Sequence, residues 1–240
     1  MTILALVTDL ETLDEAPPAG VIEIGWTSVR AEEDHADMWD FTYGELEGSM
    51  LHGIPEGQIM TPDNRAVHHI DPAELAGLPP FDPAEWRVGL DDVTHLVAHN
   101  SAFEAQWLDL GLPWVCTYKC ALRAWPDAPS HSNQTLKYYL GPLQDGPWAF
   151  PTHRALPDAK VTALTFARLL ELYEIEQLVQ WTLEPRILSK MSFGKHKGTK
   201  LKDIPLDYLE WVADPRKCEA ADEDLRHSCR VEIDRRQSAS

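Results

Sequence analysis

Asp9 and Glu11 follow a short apolar run, residues 3–8 (ILALVT). Alternate residues of a strand share a face, so both carboxylates point to one side. Asp158 stands near the start of the longest helical pattern, His153 lies five residues earlier on its loop side, and Glu104 follows a second apolar run. Carboxylates on short apolar elements are the oxygen donors that hard divalent ions such as magnesium and manganese favour. Two such ions, roughly 3.5–4 Å apart, stabilise the attacking and leaving oxygens when water cleaves a phosphodiester. A histidine beside them can take the proton of that water. Taken singly, each residue also has a plainer reading. Asp9 and Glu11 fit an exposed strand terminus, Asp158 a carboxylate favoured at a helix N-terminus, and His153 a surface loop.

The elements that must position these groups follow from the pattern. Residues 3–8 and 21–29 read as strands, joined through Pro17, Pro18 and Gly20, and residues 38–44 as a third. The 61–76 segment opens on Thr61, Pro62 and Asp63, a helix-entry signal, and Pro72 interrupts it. A strand at 94–98 ends at His99 and Asn100, after which 101–110 turn helical, with Phe103, Trp107 and Leu110 on one face. A strand at 114–117, helices around 119–125 and 133–140, and a Gly/Pro-marked loop at 141–152 follow. The helix at 153–173 is the longest, with Pro157 near its start, where a missing N–H costs least. Strands first, then alternating helices and strands, predict an α/β or α+β arrangement with helices against a mixed sheet.

In order, Asp9-Leu10-Glu11-Thr12, His99-Asn100-Ser101-Ala102-Phe103-Glu104 and His153-Arg154-Ala155-Leu156-Pro157-Asp158 resemble the motifs of the DnaQ-like exonucleases of the DEDDh type, within it the exonuclease X-like branch. The resemblance spans residues 3–172. It includes Val21-Ile22-Glu23-Ile24, Ala66-Val67-His68-His69-Ile70, and Cys116-Thr117 ahead of a helix ending at Trp125-Pro126. It implies a ribonuclease H-like mixed sheet flanked by helices. It also implies 3′–5′ removal of nucleoside 5′-monophosphates with two divalent metal ions, Mg2+ or Mn2+. Residue by residue, it implies Asp9, Glu11 and Asp158 as metal ligands, Asp9 bridging, and His153 as general base. Thr12 and Leu13 are expected near the terminal nucleotide, His68 beside it, and His99 and Asn100 shaping the site. Glu104 stands where the family carries Asp. It keeps the charge but adds a methylene, which bears on metal preference and rate more than on the reaction.

A second unit runs from Phe193-Gly194-Lys195-His196-Lys197-Gly198 to Ile204 and on through Tyr208 and Trp211, with a helix opening after Pro205. It resembles the small domain that follows the nuclease core in exonuclease X-like proteins. The expected organisation is a nuclease domain at 1–175, a linker at 176–188, a small basic glycine-turn/helix unit at 189–213, and a charged tail at 214–240 that is mobile or loosely helical.

With 44% hydrophobic residues the 240-residue chain can bury a real core, and no apolar run approaches the roughly 18 residues of a membrane helix. The opening lacks a basic leader, so the cytoplasm and reduced cysteines (Cys116, Cys120, Cys218, Cys229) are the expectation. A net charge of −18 argues against a protein that coats nucleic acid. A site that grips only a chain end through metal ions escapes part of that objection. Between Glu184 and Asp203 there is no acidic residue, and Lys195, Lys197, Lys200 and Lys202 of this strip are candidates to contact phosphates. The expected partner is a nucleic acid 3′ end, DNA ahead of RNA, without a membrane, and a homodimer is compatible with the chain. An RNA-directed 3′–5′ exonuclease and a non-catalytic 3′-end-binding protein are the competing readings.

Overall fold

Residues Thr2–Thr12 form strand β1, and their alternation builds two different cores. Ile3, Ala5 and Val7 lie in one apolar cluster with Phe166, Leu169 and Leu170, while Leu4, Leu6 and Leu10 lie in another with Trp26, Trp86, Leu96 and Leu108. A strand buried on both faces reads as a continuous apolar run, as residues 3–8 do. Strand β2 (Val21–Glu33) pairs antiparallel with β1, and β3 (Trp39–Leu51) antiparallel with β2. On the other side of β1, β4 (His95–Ala98) and β5 (Trp114–Cys116) add in parallel, giving the order β3-β2-β1-β4-β5. In this computed structural model the described residues are 2–15, 17, 20–33, 39–84, 86, 90–108, 110–141 and 151–238.

The helices are α1 (Pro62–His68), α2 (Thr117–Ala124), α3 (Asn133–Tyr139), α4 (Ala155–Leu170), α5 (Ile175–Leu183), α6 (Leu206–Ala213) and α7 (Glu223–Ser238). Thr61 caps α1: its side chain accepts the Asn64 N–H, and the Asn64 side chain accepts the Thr61 N–H. α4 covers β1 and β2. The mixed sheet with helices against it is the architecture the sequence predicts.

One expectation needs correction. Among the described residues of 101–110 the regular element is a single 3-10 turn, Glu104–Gln106: Phe103 N–H bonds the Asn100 carbonyl and Trp107 N–H that of Glu104, while the helical bonds Ala105 N–H to Ser101 and Leu108 N–H to Glu104 stay isolated. Phe103 and Trp107 still touch, ring centroids 4.7 Å apart, without a regular helix. α5 is the short helical stretch that the sequence suggests ahead of Glu184 and Pro185, and its Ile175 and Leu178 are buried in the β1–α4 cluster. The tail, expected to be mobile or loosely helical, holds α7, which supplies Leu225 and Cys229 to a third core with Met191, Leu201, Ile204, Leu209 and Val212. Its apolar residues are few and its charges many, so the sequence reads as solvated although one stripe is buried. Of the expected loop at 141–152, residues 142–150 lie outside those described. All four cysteines are buried free thiols. No helix among the described residues is long and apolar enough to cross a membrane.

Candidate active site

Asp9 and Glu11 continue the row Ile3–Ala5–Val7, on the face of β1 that α4 covers. α4 begins where that row stops being apolar, and Asp158 sits in its first turn. The close approach depends on Gly25, the partner of Asp9 in the ladder. A Cβ there would lie 2.2 Å from the Leu156 backbone nitrogen, so any larger residue would push the start of α4 off the sheet. Ligand oxygens of Asp9, Glu11 and Asp158 consequently lie within 4.8 Å of one another.

Glu11 faces Glu23 across the antiparallel ladder. Like charges in that position repel, and Arg154 answers them. Its guanidinium donates from Nε and Nη2 to the Glu23 carboxylate at 2.8 and 2.9 Å, and Glu23 also accepts the Ala155 N–H. The buried Glu23 thus anchors the turn that presents His153 and Asp158. His153 adopts a left-handed backbone, φ 57°, uncommon for a residue with a side chain. Its N–H donates to Asp158 Oδ2 at 2.8 Å, and its ring is exposed. Gln134 Nε2 donates to the other oxygen, Asp158 Oδ1, at 2.6 Å, while Asn133 of the same helix donates to the Asp158 carbonyl. Both Asp158 oxygens are therefore oriented before anything binds.

Burial, and for Asp9, Glu11 and Glu104 the crowding of carboxylates, raises their proton affinities. Burial, then the charges of Asp158 and Glu23, push Glu11 up to about 8 against the pull of Arg154. Burial pushes Glu104 up to about 8, with Glu11 adding to it. Asp9 is raised well above the usual carboxylate range by burial and by Glu11, Glu104 and Asp158, and Asp158 is raised by burial. Glu104 is 3% exposed and its Oε2 has no hydrogen-bond partner. It adjoins the trio but is not among the residues whose ligand oxygens fall within 4.8 Å. Buried hard oxygen donors that repel one another, one of them orphaned, fit a divalent cation by charge and chemistry. The trio is an acidic cluster suited to metal.

Beside Glu11 a groove of about 400 Å³ is lined by Thr12, Leu13, Asn64, His68 and Phe103 among others. Asn64 donates to the Leu13 carbonyl at 2.9 Å, pinning α1 to the end of β1. The Thr12 hydroxyl donates to the Asp14 carbonyl. His68 is buried; its Nδ1 accepts the Ile70 N–H, which leaves Nε2 as the protonated nitrogen, without a partner. Burial holds this histidine below its ordinary proton affinity.

His99 is spent inside the protein. Its Nε2 donates to the His131 carbonyl at 2.8 Å and its Nδ1 meets the Thr117 hydroxyl at 3.0 Å, and burial holds it down to about 4. It pins the loop before α3 instead of offering itself to a ligand. Asn100 is exposed, with φ 84°. The four lysines lie outside the crevice on the C-terminal unit, all exposed. Lys195 Nζ stands 5.0 Å over the Tyr208 ring, and Lys200 Nζ lies 4.0 Å from Asp127 of the main domain. The reading of the sequence missed Arg154, Gln134 and the role of Glu23. A carboxylate inside the apolar run VIEIG was a visible signal for Glu23; for Gln134 there was none.

Known proteins resemble this chain. Over 186 residues the chain is 27% identical to exodeoxyribonuclease 10 of Escherichia coli strain K12, covering 72% of this chain and 80% of that protein. The same figures hold for exodeoxyribonuclease 10 of Escherichia coli O6:H1. A solved structure of exonuclease X in complex with 5′ overhanging duplex DNA superposes with a TM-score of 0.55 at 25% identity, over 74% of this chain and 99% of that one. Residues 180–216 match a family described as a putative quorum-sensing-regulated virulence factor.

Proposed function

Since the chain belongs to the DEDDh-type 3′–5′ exonucleases and is related to exonuclease X, we propose that it releases nucleoside 5′-monophosphates one at a time from the 3′ ends of DNA. The observation that carries this reading is the convergence of Asp9, Glu11 and Asp158 at the start of α4. In it, these carboxylates hold two divalent ions, Mg2+ or Mn2+, with Glu104 completing the acidic set. Such ions supply positive charge over the scissile phosphate and make water a stronger acid. His153, on its exposed turn, takes the proton of the attacking water. Thr12, Leu13 and His68 line the groove for the terminal nucleoside. Asn100 lies along the strand. Lys195, Lys197, Lys200 and Lys202 hold the sugar–phosphate chain behind the end without reading its sequence. The E. coli relatives, named for deoxyribonucleic acid, and the duplex-bound neighbour support DNA as the substrate.

Matched end-labelled DNA and RNA, single-stranded and duplex, incubated with magnesium or manganese, test the reading. Faster shortening of DNA from its 3′ end is expected. Preference for RNA would replace the substrate, and tight end binding without cleavage would replace the enzyme by a binding protein.

A further inference from the structure

A second cleft, of about 460 Å³, lies between the main domain and the start of the C-terminal unit, and it differs from the groove beside Glu11. The Glu11 groove carries four carboxylates, those of Glu11, Asp14, Glu15 and Asp63. The second cleft is lined by His99, Asn100, Tyr118, Ser130, His131, Ser132 and Arg186, with no carboxylate among them. We propose that this cleft binds phosphodiester groups of the strand behind the 3′ end, through Asn100, Ser130 and Arg186. The proposal rests on the exonuclease reading and extends it to the path of the substrate.

Three observations carry it. The donors are of the types that contact phosphate: a guanidinium, hydroxyls and an amide. Asn100, Ser130 and Arg186 are all exposed. Asp224 takes the Nε and backbone N–H of Arg186 in an ion pair, so the guanidinium is held in place at the cleft edge. Finally, the walls are the same elements that hold the carboxylates. Ser132 caps α3, whose Gln134 grips Asp158, and Asn100 precedes the turn carrying Glu104. Beyond the cleft, Arg186 opens the strip without acidic residues, and Lys200 approaches Asp127 of the loop that leads to Ser130. A strand leaving the carboxylates through this cleft would therefore meet the lysines next.

Ser130 gives a test by charge alone. Its Oγ accepts the Ser132 N–H, a bond an Asp or Asn side chain can also accept. Binding of a single-stranded 12-mer would be measured by fluorescence anisotropy in EDTA, with thermal melting to confirm folding. Ser130→Asp should weaken binding roughly fivefold at low salt, the scale of one like charge near a phosphate in water. Ser130→Asn should match wild type, Ser130→Lys should tighten binding, and the differences should shrink as salt rises. Equal affinities for all four proteins, or equal weakening by Asp and Asn, would overturn the cleft. The exonuclease reading is judged separately by wild-type release of nucleotides from a 3′ end with manganese. Failure there with a charge-ordered series would remove the reading and keep a strand-binding cleft.

Discussion

The crevice at the end of β1 and the C-terminal lysine unit house their charges in opposite ways. In the crevice, Glu11, Glu104 and Asp158 are buried, Asp9 is half-buried, and burial drives all four toward the protonated form, with neighbouring carboxylates adding to it for Asp9, Glu11 and Glu104. In the C-terminal unit, Lys195, Lys197, Lys200 and Lys202 are exposed around a separate apolar core. Buried like charges cost stability unless something binds them, whereas solvated lysines cost little and are screened by salt. In the proposed function the crevice does the local chemistry and the lysines supply long-range attraction, so a variant in one region should leave the other's task intact.

The largest effects should come from the crevice. Asp9→Asn should lower single-turnover cleavage roughly 10⁴-fold or more, since several kcal/mol of transition-state stabilisation depend on the ions it helps hold. Binding of a 3′ end in EDTA should change little. His153→Ala should lower the chemical step about 10²–10⁴-fold at unchanged end affinity. A loss explained wholly by weaker binding would make His153 a structural residue, which its strained backbone also allows.

Replacing all four lysines by Ala should act on binding and hardly on chemistry. Each lost phosphate contact lowers the slope of log affinity against log salt by roughly 0.7–0.9, so the line for a long strand should flatten. Turnover of a dinucleotide should stay near wild type. Parallel salt lines for wild type and variant would leave the lysines as solubilising charges and dissolve the contrast between the regions.

The smallest effect is on stability against pH. Glu11 and Glu104, ordinarily near 4.5, are pushed up to about 8, so the folded protein retains protons that the unfolded chain has released. Stability therefore falls as pH rises through that window. His99 acts with the opposite sign. Held down to about 4 from 6.5, it contributes stability that is present above 6.5 and lost as pH falls. The window free of this cancellation is pH 6.5 to 8. Melting of the metal-free protein should drop across it, and manganese should flatten the drop. A flat metal-free profile would mean that the carboxylates are not buried and crowded as described.

The sequence displayed the sheet and the ends of its strands because apolar runs and motif carboxylates are local signals. Residues 3–8 and 95–98 lie in strands for that reason, and Asp9, Glu11 and Asp158 stand together because helix and strand must pack there. It did not display what depends on distant contacts. α7 is highly charged, and only its buried Leu225 and Cys229 show that it closes a core. The 101–110 stretch has helical spacing, but hydrogen bonds from Asn100 onward tighten it into turns. Gln134 is an ordinary helix residue until α3 and α4 bring it to 2.6 Å from Asp158. Glu104 was legible as a departure, while its orphaned Oε2 required the fold.

Cleavage by the carboxylate crevice is tested with a DNA strand labelled at its 5′ end, incubated with manganese and wild-type protein or Asp158→Asn. A ladder shortening by single nucleotides from the 3′ end is expected, with release of 5′-monophosphates and no ladder for the variant or in EDTA. Internal cuts, shortening from the 5′ end, or an equal ladder from Asp158→Asn would contradict it.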